Sequence, residues 1–207
     1  MAIKIEKVVV GSIETNCYIV SAKNDHTAVI DPGDEAGKIM AEIKKIRDLR
    51  LDYILLTHAH FDHVLAVDEL KRKFPEAKIF IGQNDQEILA NLSKQSYFLS
   101  QKVKDLVSPT ETVQDGDVLN FAKDKIKVIE TPGHTPGGVC YLIDGCLFSG
   151  DTLFYHSHGR TDLPTSNNDK MSKSLEKLAK LSENIRVFPG HGPETTIKEE
   201  KLLGFLS

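Results

Sequence analysis

Residues 57–63 read Thr57-His58-Ala59-His60-Phe61-Asp62-His63. Three imidazoles and a carboxylate fall within six consecutive positions, and no packing requirement calls for them there. Charged groups this close repel one another, and burying them unpaired costs desolvation energy. Imidazole and carboxylate are good ligands for zinc and its transition-metal neighbours, so the heptad reads as a metal site. Its spacing is that of a loop. His58 and His60 are two residues apart, which puts them on different faces of a helix but on the same side of an extended segment. His63 is expected to open the helix that follows.

Outward from the heptad, three more ligand-type residues repeat its local setting. Tyr53-Ile54-Leu55-Leu56 precedes His58, and Ile126-Lys127-Val128-Ile129-Glu130 precedes His134. Cys146-Leu147-Phe148 precedes Asp151, and Ile185-Arg186-Val187-Phe188 precedes His191. Each is an apolar strand. Pro132-Gly133, Gly150 and Pro189-Gly190 then stop the strand and let backbone approach a crowded site. All the candidate ligands therefore sit just past strand carboxyl ends, where open α/β sheets place their sites. The seven residues His58, His60, Asp62, His63, His134, Asp151 and His191 suit two metal ions rather than one, and paired ions imply hydrolysis by a metal-bound hydroxide. His26, His156 and His158 read as ordinary histidines, with a pocket role left open for the last two because they follow Asp151 closely.

The rest of the chain alternates strands and helices. Ile3–Val10, Asn16–Ser21 and Thr27–Ile30 read as strands ending at the turn Asp31-Pro32-Gly33. Ala36–Leu49 carries Ile39, Ile43 and Ile46 at helical spacing, and Val64–Phe74 carries Val67, Leu70 and Phe74. Lys78–Ile81 reads as a strand and Asp85–Leu92 as a helix; Ser93–Pro109 fits either a helix or a flap. Val118–Phe121, Lys125–Glu130, Val139–Ile143 and Cys146–Phe148 read as strands, the last two joined by an Asp144-Gly145 hairpin turn. Asp169–Leu181 is an amphipathic helix, Ile185–Phe188 the last strand and Ile197–Leu206 a closing helix.

Composition sets the class. The 207 residues, 40% of them apolar, suit one domain over residues 1–207 with a real core. A net charge of −4 and a pI near 6.1 leave no electrostatic footprint for nucleic acid. Cys17, Cys140 and Cys146 form no CxxC pair and read as small buried hydrophobes on strands. Residues Met1 to Val10 lack the apolar core of a signal peptide, and no stretch approaches a bilayer-spanning length. The expected compartment is the cytoplasm. Nothing in the sequence fixes an oligomeric state.

With these motifs in place, the chain resembles the metallo-β-lactamase-fold hydrolases. The likeness runs from Thr15-Asn16-Cys17-Tyr18 and Asp31-Pro32-Gly33, through the heptad and Gly133-His134-Thr135-Pro136-Gly137, to Gly150-Asp151 and Pro189-Gly190-His191-Gly192-Pro193. Gly159-Arg160-Thr161-Asp162 and the tail Gly192-Pro193-Glu194-Thr195-Thr196 extend it to the short glyoxalase II-like subgroup. The resemblance implies an α/β fold, an αββα sandwich, with two divalent ions, zinc first and iron or manganese also compatible. It puts His58, His60 and His134 on one ion and Asp62, His63 and His191 on the other, with Asp151 bridging. Asp62 is further implied to orient water. Asp31 is implied to hydrogen-bond the heptad loop from behind the ligands, its other reading being a turn-initiating Asp.

The implied reaction is hydrolysis of a small acyl thioester of the S-lactoylglutathione kind. The thiolate leaves without a strong acid, since a free thiol has a pKa of about 8.5. Full glyoxalase II adds a C-terminal helical domain that helps bind glutathione. Here the sequence ends about a helix after His191, so that task is expected to fall to groups such as Arg160 and the Ser93–Pro109 segment. Arg160 suits a carboxylate partner; a surface salt bridge accounts for it equally well. The alternatives are a persulfide dioxygenase with one iron, which shares the Gly-Arg-Thr-Asp run, and a lactonase, which typically has His in place of Gly138. A β-lactamase would normally be exported, and an RNA-processing nuclease should be larger or more basic. A diiron flavoprotein has an acidic residue where His60 stands. A pure metal-binding module is separable from all of these only by assay.

Overall fold

The structure is a computed structural model that describes residues 3–22, 26–46, 49–98, 103–108 and 110–206, with only the backbone of residues 96–98. Its first half forms a six-stranded sheet: β1 (Lys4–Val10), β2 (Thr15–Ser21), β3 (His26–Ile30), β4 (Arg50–Leu55), β5 (Lys78–Gly82) and β6 (Glu111–Val113), paired in that order. The second half forms another from β7 (Val118–Phe121), β8 (Asp124–Glu130), β9 (Val139–Ile143), β10 (Cys146–Gly150), β13 (Arg186–Pro189) and β14 (Thr195–Thr196). A two-stranded hairpin, β11 (Leu153–Phe154) and β12 (Ser157–His158), lies between β10 and β13 in sequence. The helices are α1 (Ala36–Ile43), α2 (Val67–Lys73), α3 (Gln86–Ala90), α4 (Asn168–Ala179) and α5 (Ile197–Leu202).

The period-two alternation of side chains on a strand sorts the apolar residues into three layers of core. Tyr18, Val20, Ile30, Leu55 and Phe80 of the first sheet meet Phe121, Val128, Tyr141, Phe148 and Phe188 of the second. Their intervening neighbours Cys17, Ile19, Val29 and Ile54 face the other way, against Ile39 and Ile43 of α1 and Val67 and Leu70 of α2. Ile129, Cys140, Leu147 and Val187 likewise leave the second sheet to meet Leu178 of α4 and Ile197 of α5. The layers are therefore helix, sheet, sheet, helix, the αββα order expected. The three cysteines are buried and free, as expected of small hydrophobes. Full burial stabilises each large side chain by roughly 1.5–3 kcal/mol, and Tyr18, Phe148 and Phe188 add ring contacts at centroid distances of 5.1–5.6 Å.

Both β8 and β10 run antiparallel to β9, and β13 runs parallel to β10. The carboxyl ends of β8, β10 and β13 therefore share one edge of the second sheet. The start of β2 reaches the same edge, where Asn16 N–H donates to the Gly190 carbonyl at 2.7 Å.

Several boundaries differ from the sequence reading. Strands β6, β11, β12 and β14 were not expected; they are two or three residues long, too short for a periodic signal. The helix expected over Ala36–Leu49 ends at Ile43 and continues as turns to Ile46, residues 47 and 48 lying outside the described residues. The helix expected from Val64 starts at Val67, and His63 closes a 3-10 turn over Phe61–His63 instead of opening that helix. The reason is visible in the backbone. The N–H groups of Leu65 and Ala66 are spent on the carbonyls of Gly33 and Pro32, tying this stretch to the turn after β3. Of Ser93–Pro109, the first part is a 3-10 turn over Leu92–Phe98; residues 99–102 and 109 lie outside the described residues.

Candidate metal centre

Asp31, buried just past β3, organises the heptad loop from behind. Its φ of 49° is a left-handed conformation, which Asp tolerates better than most residues. The carboxylate accepts the Thr57 backbone N–H and the Thr57 hydroxyl, both at 2.7 Å, and His63 Nδ1 at 2.9 Å. That fixes His63 with its Nε2 turned inward. Because the Thr57 hydroxyl donates to Asp31, it accepts from His58 Nδ1 at 3.1 Å, and His58 Nε2 also turns inward. His134 Nδ1 donates to the Arg160 carbonyl at 2.9 Å, with the same consequence. Three histidines thus have their tautomer set by an outward acceptor, the arrangement that prepares imidazole for a metal.

The seven sequence-predicted residues converge. His58, His60 and His134 form one group whose ligand atoms lie within 4.8 Å of one another, and Asp62, His63 and His191 form another. Asp151 stands between them: its carboxylate oxygens lie 3.4 Å from His134 Nε2, 3.4 Å from His63 Nε2 and 3.7 Å from His191 Nε2. His60 is extended, and its ring sits 4.8 Å from that of His58, the same-side placement that two-residue spacing implies.

The electrostatics of His58 and His60 fit a cation. Burial, then the neighbouring imidazoles, push the pKa of His58 well down and that of His60 down to about 3, so both stand as neutral ligands. Burial works against the Asp62 carboxylate, but His63 and His191 outweigh it and hold its pKa well below the usual range. Thr15 Oγ1 also donates to Asp62, at 3.1 Å. The deciding detail is what lacks a partner. His58 Nε2, His134 Nε2 and Asp151 Oδ1 are buried with no hydrogen-bond partner among the described residues. An unsatisfied buried polar atom costs about 1–3 kcal/mol, and divalent cations held within the cluster would satisfy all three. Gly190 shows how tight the setting is: a Cβ there would stand 2.3 Å from Asp151 Oδ1 and 2.7 Å from His63 Cε1.

Other residues contribute to which the sequence reading gave no such structural role. Gln95 grips the middle of the heptad, accepting from Phe61 N–H at 3.0 Å and donating to the Ala59 carbonyl at 2.8 Å. Asn16 Nδ2 donates to the carbonyls of Pro189 and Gly192 at 2.9 Å each, bracketing His191, and the buried Tyr18 hydroxyl donates to Pro189 as well. The Arg160 side chain is exposed and makes a two-pronged ion pair with Asp162 at 2.7 and 2.8 Å. Only its backbone carbonyl reaches the centre. His26 pairs with Asp52, His156 stacks on Tyr155 and Phe205, and His158 bonds the Gly159 carbonyl; none of the three belongs to a ligand group.

Residues 10–191, from the end of β1 to the last candidate ligand, match the family model described as the metallo-beta-lactamase superfamily. The chain belongs to the metallo-beta-lactamase superfamily. Within it, the chain is 37% identical over 196 residues to the probable metallo-hydrolase YqgX of Bacillus subtilis, covering 93% of this chain and 92% of that protein. It is 32% identical over 201 residues to the hydroxyacylglutathione hydrolase GloC of Haemophilus influenzae, covering 95% and 94%. The crystal structure of BLEG-1 B3 metallo-beta-lactamase superposes with a TM-score of 0.89 at 32% identity, covering 99% of this chain and all of that one. The protein is a metallo-hydrolase of this superfamily, with a His/Asp cluster suited to divalent metal.

Proposed function

We propose that this chain hydrolyses small acyl thioesters of the hydroxyacylglutathione kind with two divalent ions, zinc first among them. The observation that carries the reading is Asp151 standing between the His58/His60/His134 and Asp62/His63/His191 groups, with His58 and His63 close enough to share a further group with it. The similarity to GloC along almost the whole of both chains supports the substrate class. His58, His60 and His134 would hold one ion, Asp62, His63 and His191 the other, and Asp151 would reach both. When bound, such a pair lowers the pKa of a shared water and polarises the substrate carbonyl. The chain's own part is orientation. Asp31 and the Arg160 carbonyl fix which imidazole nitrogen faces the centre. Thr15 Oγ1 holds Asp62 at its edge, where the carboxylate would order a water. The leaving thiolate, with an intrinsic pKa of about 8.5, needs no proton donor from the protein.

The reading calls for neither nucleic acid nor membrane. Among the described residues no helix is long and apolar enough to cross a bilayer. Nor does it lean on Arg160 as a receptor for a substrate carboxylate, since that guanidinium is already paired with Asp162.

The test is elemental analysis of protein purified without added metal, alongside kcat/KM on S-lactoylglutathione, simple thioesters, a cephalosporin and a phosphodiester. Two ions per chain and the highest kcat/KM on thioesters are expected. A cephalosporin or phosphodiester matching the thioesters would overturn the assignment. Sulfite formed from glutathione persulfide, with one iron per chain, would select the dioxygenase instead.

A further inference from the structure

The turn at the end of β5 carries a carboxylate that the ligand set does not use. Asp85 is wholly buried, closing the 3-10 turn Gln83–Asp85 and standing at the N-cap of α3. An Asp there ordinarily accepts a backbone N–H of its own helix, but Asp85 makes no such capping bond. Its oxygens turn to two distant loops. Oδ2 accepts from Ala59 N–H at 2.9 Å and Oδ1 from Gly137 N–H at 2.6 Å. Ala59 is the residue between His58 and His60, and Gly137 lies three residues after His134.

One carboxylate therefore joins the two loops whose meeting creates the His58/His60/His134 group. The join is close. A Cβ on Gly137 would lie 2.3 Å from the Asp85 backbone nitrogen, so the His134 loop rests directly on this turn. The other group is anchored by different residues: His63 by Asp31, Asp62 by Thr15, and the His191 segment by Asn16. A buried carboxylate is costly unless its hydrogen bonds are met, and here both bonds go to the metal-bearing loops.

We propose that Asp85 is a positioning residue for the His58/His60/His134 group, setting ion affinity there and leaving the Asp62/His63/His191 group unaffected. The proposal rests on the metal reading of the cluster and concerns binding, not turnover. Its test is a zinc titration of metal-free protein against a chromophoric chelator. His191→Ala leaves His58, His60 and His134 as the intact group, and His60→Ala leaves the other. Asp85→Asn, which puts an amide N–H against a backbone N–H, is placed in each background. Binding about 10–100-fold weaker is expected in the His191→Ala background, the range for residues that orient ligands, with less than about a twofold change in the His60→Ala background. Circular dichroism and thermal unfolding of the metal-free variants check folding. Asp85→Glu, which keeps the charge but moves the carboxylate outward, is the second variant and should weaken the same group.

Unchanged affinity in the His191→Ala background, or equal loss in both, would overturn the proposal while leaving the metal reading intact. Parent proteins that bind no zinc would overturn both.

Discussion

Asp151 is the residue on which the dinuclear reading turns. One carboxylate faces His134 on one side and His63 and His191 on the other. In Asp151→Ala both groups lose their shared member. Elemental analysis should then find fewer than two ions per chain, and hydrolysis should fall by more than the roughly 100-fold upper range seen when a residue behind a ligand is lost. Near-normal turnover with two ions bound would show that the bridge is misassigned. Residues of this kind are legible in sequence because their chemistry is scarce: four ligand groups in six positions have no packing explanation. Asp85 and Gln95 are not, because each is an ordinary polar residue whose partners lie 26 to 52 positions away. The Arg160 side chain, which did stand out, is spent on Asp162, and the contribution comes from its backbone.

The helices cover the sheets, and single side chains on them can be separated from the centre. Helix α4 packs Leu178 wholly buried against the outer face of the second sheet, in a cluster with Leu147 and Val187, while its earlier Met171 and Ser174 rest on the Pro132-Gly133 segment before His134. Leu178→Ala should cost about 2–5 kcal/mol through lost burial and the cavity left behind, read as a lower urea midpoint at constant m-value. Metal stoichiometry should stay at the wild-type value; a loss of metal in the folded variant would mean that this layer also shapes the site. Long periodic segments such as α4 were readable because each side chain's environment repeats along the helix. The start of α2 was not, because Leu65 and Ala66 give their N–H groups to the turn after β3.

At the scale of the whole molecule, loops from both sheets press inward-facing ligand atoms together. Metal removal should therefore lower stability throughout the domain. Chelation should lower Tm, and zinc at about 100 times its dissociation constant should restore roughly 2.7 kcal/mol per independent site. A Tm indifferent to chelator and to added zinc would contradict a cluster built around a cation. The sequence by itself determined the alternation of strands and helices, through the two- and 3.6-residue periods of its apolar residues, while the layer order was implied only by the family resemblance. It also determined the identity of the seven ligand-type residues, through their crowding and their place after strand ends. Only the tertiary structure decided which imidazole nitrogen faces the centre and that Asp85 ties the His58–His60 loop to the His134 loop. These are contacts between segments far apart in the chain. No local pattern encodes them, because they exist only once the two sheets have packed.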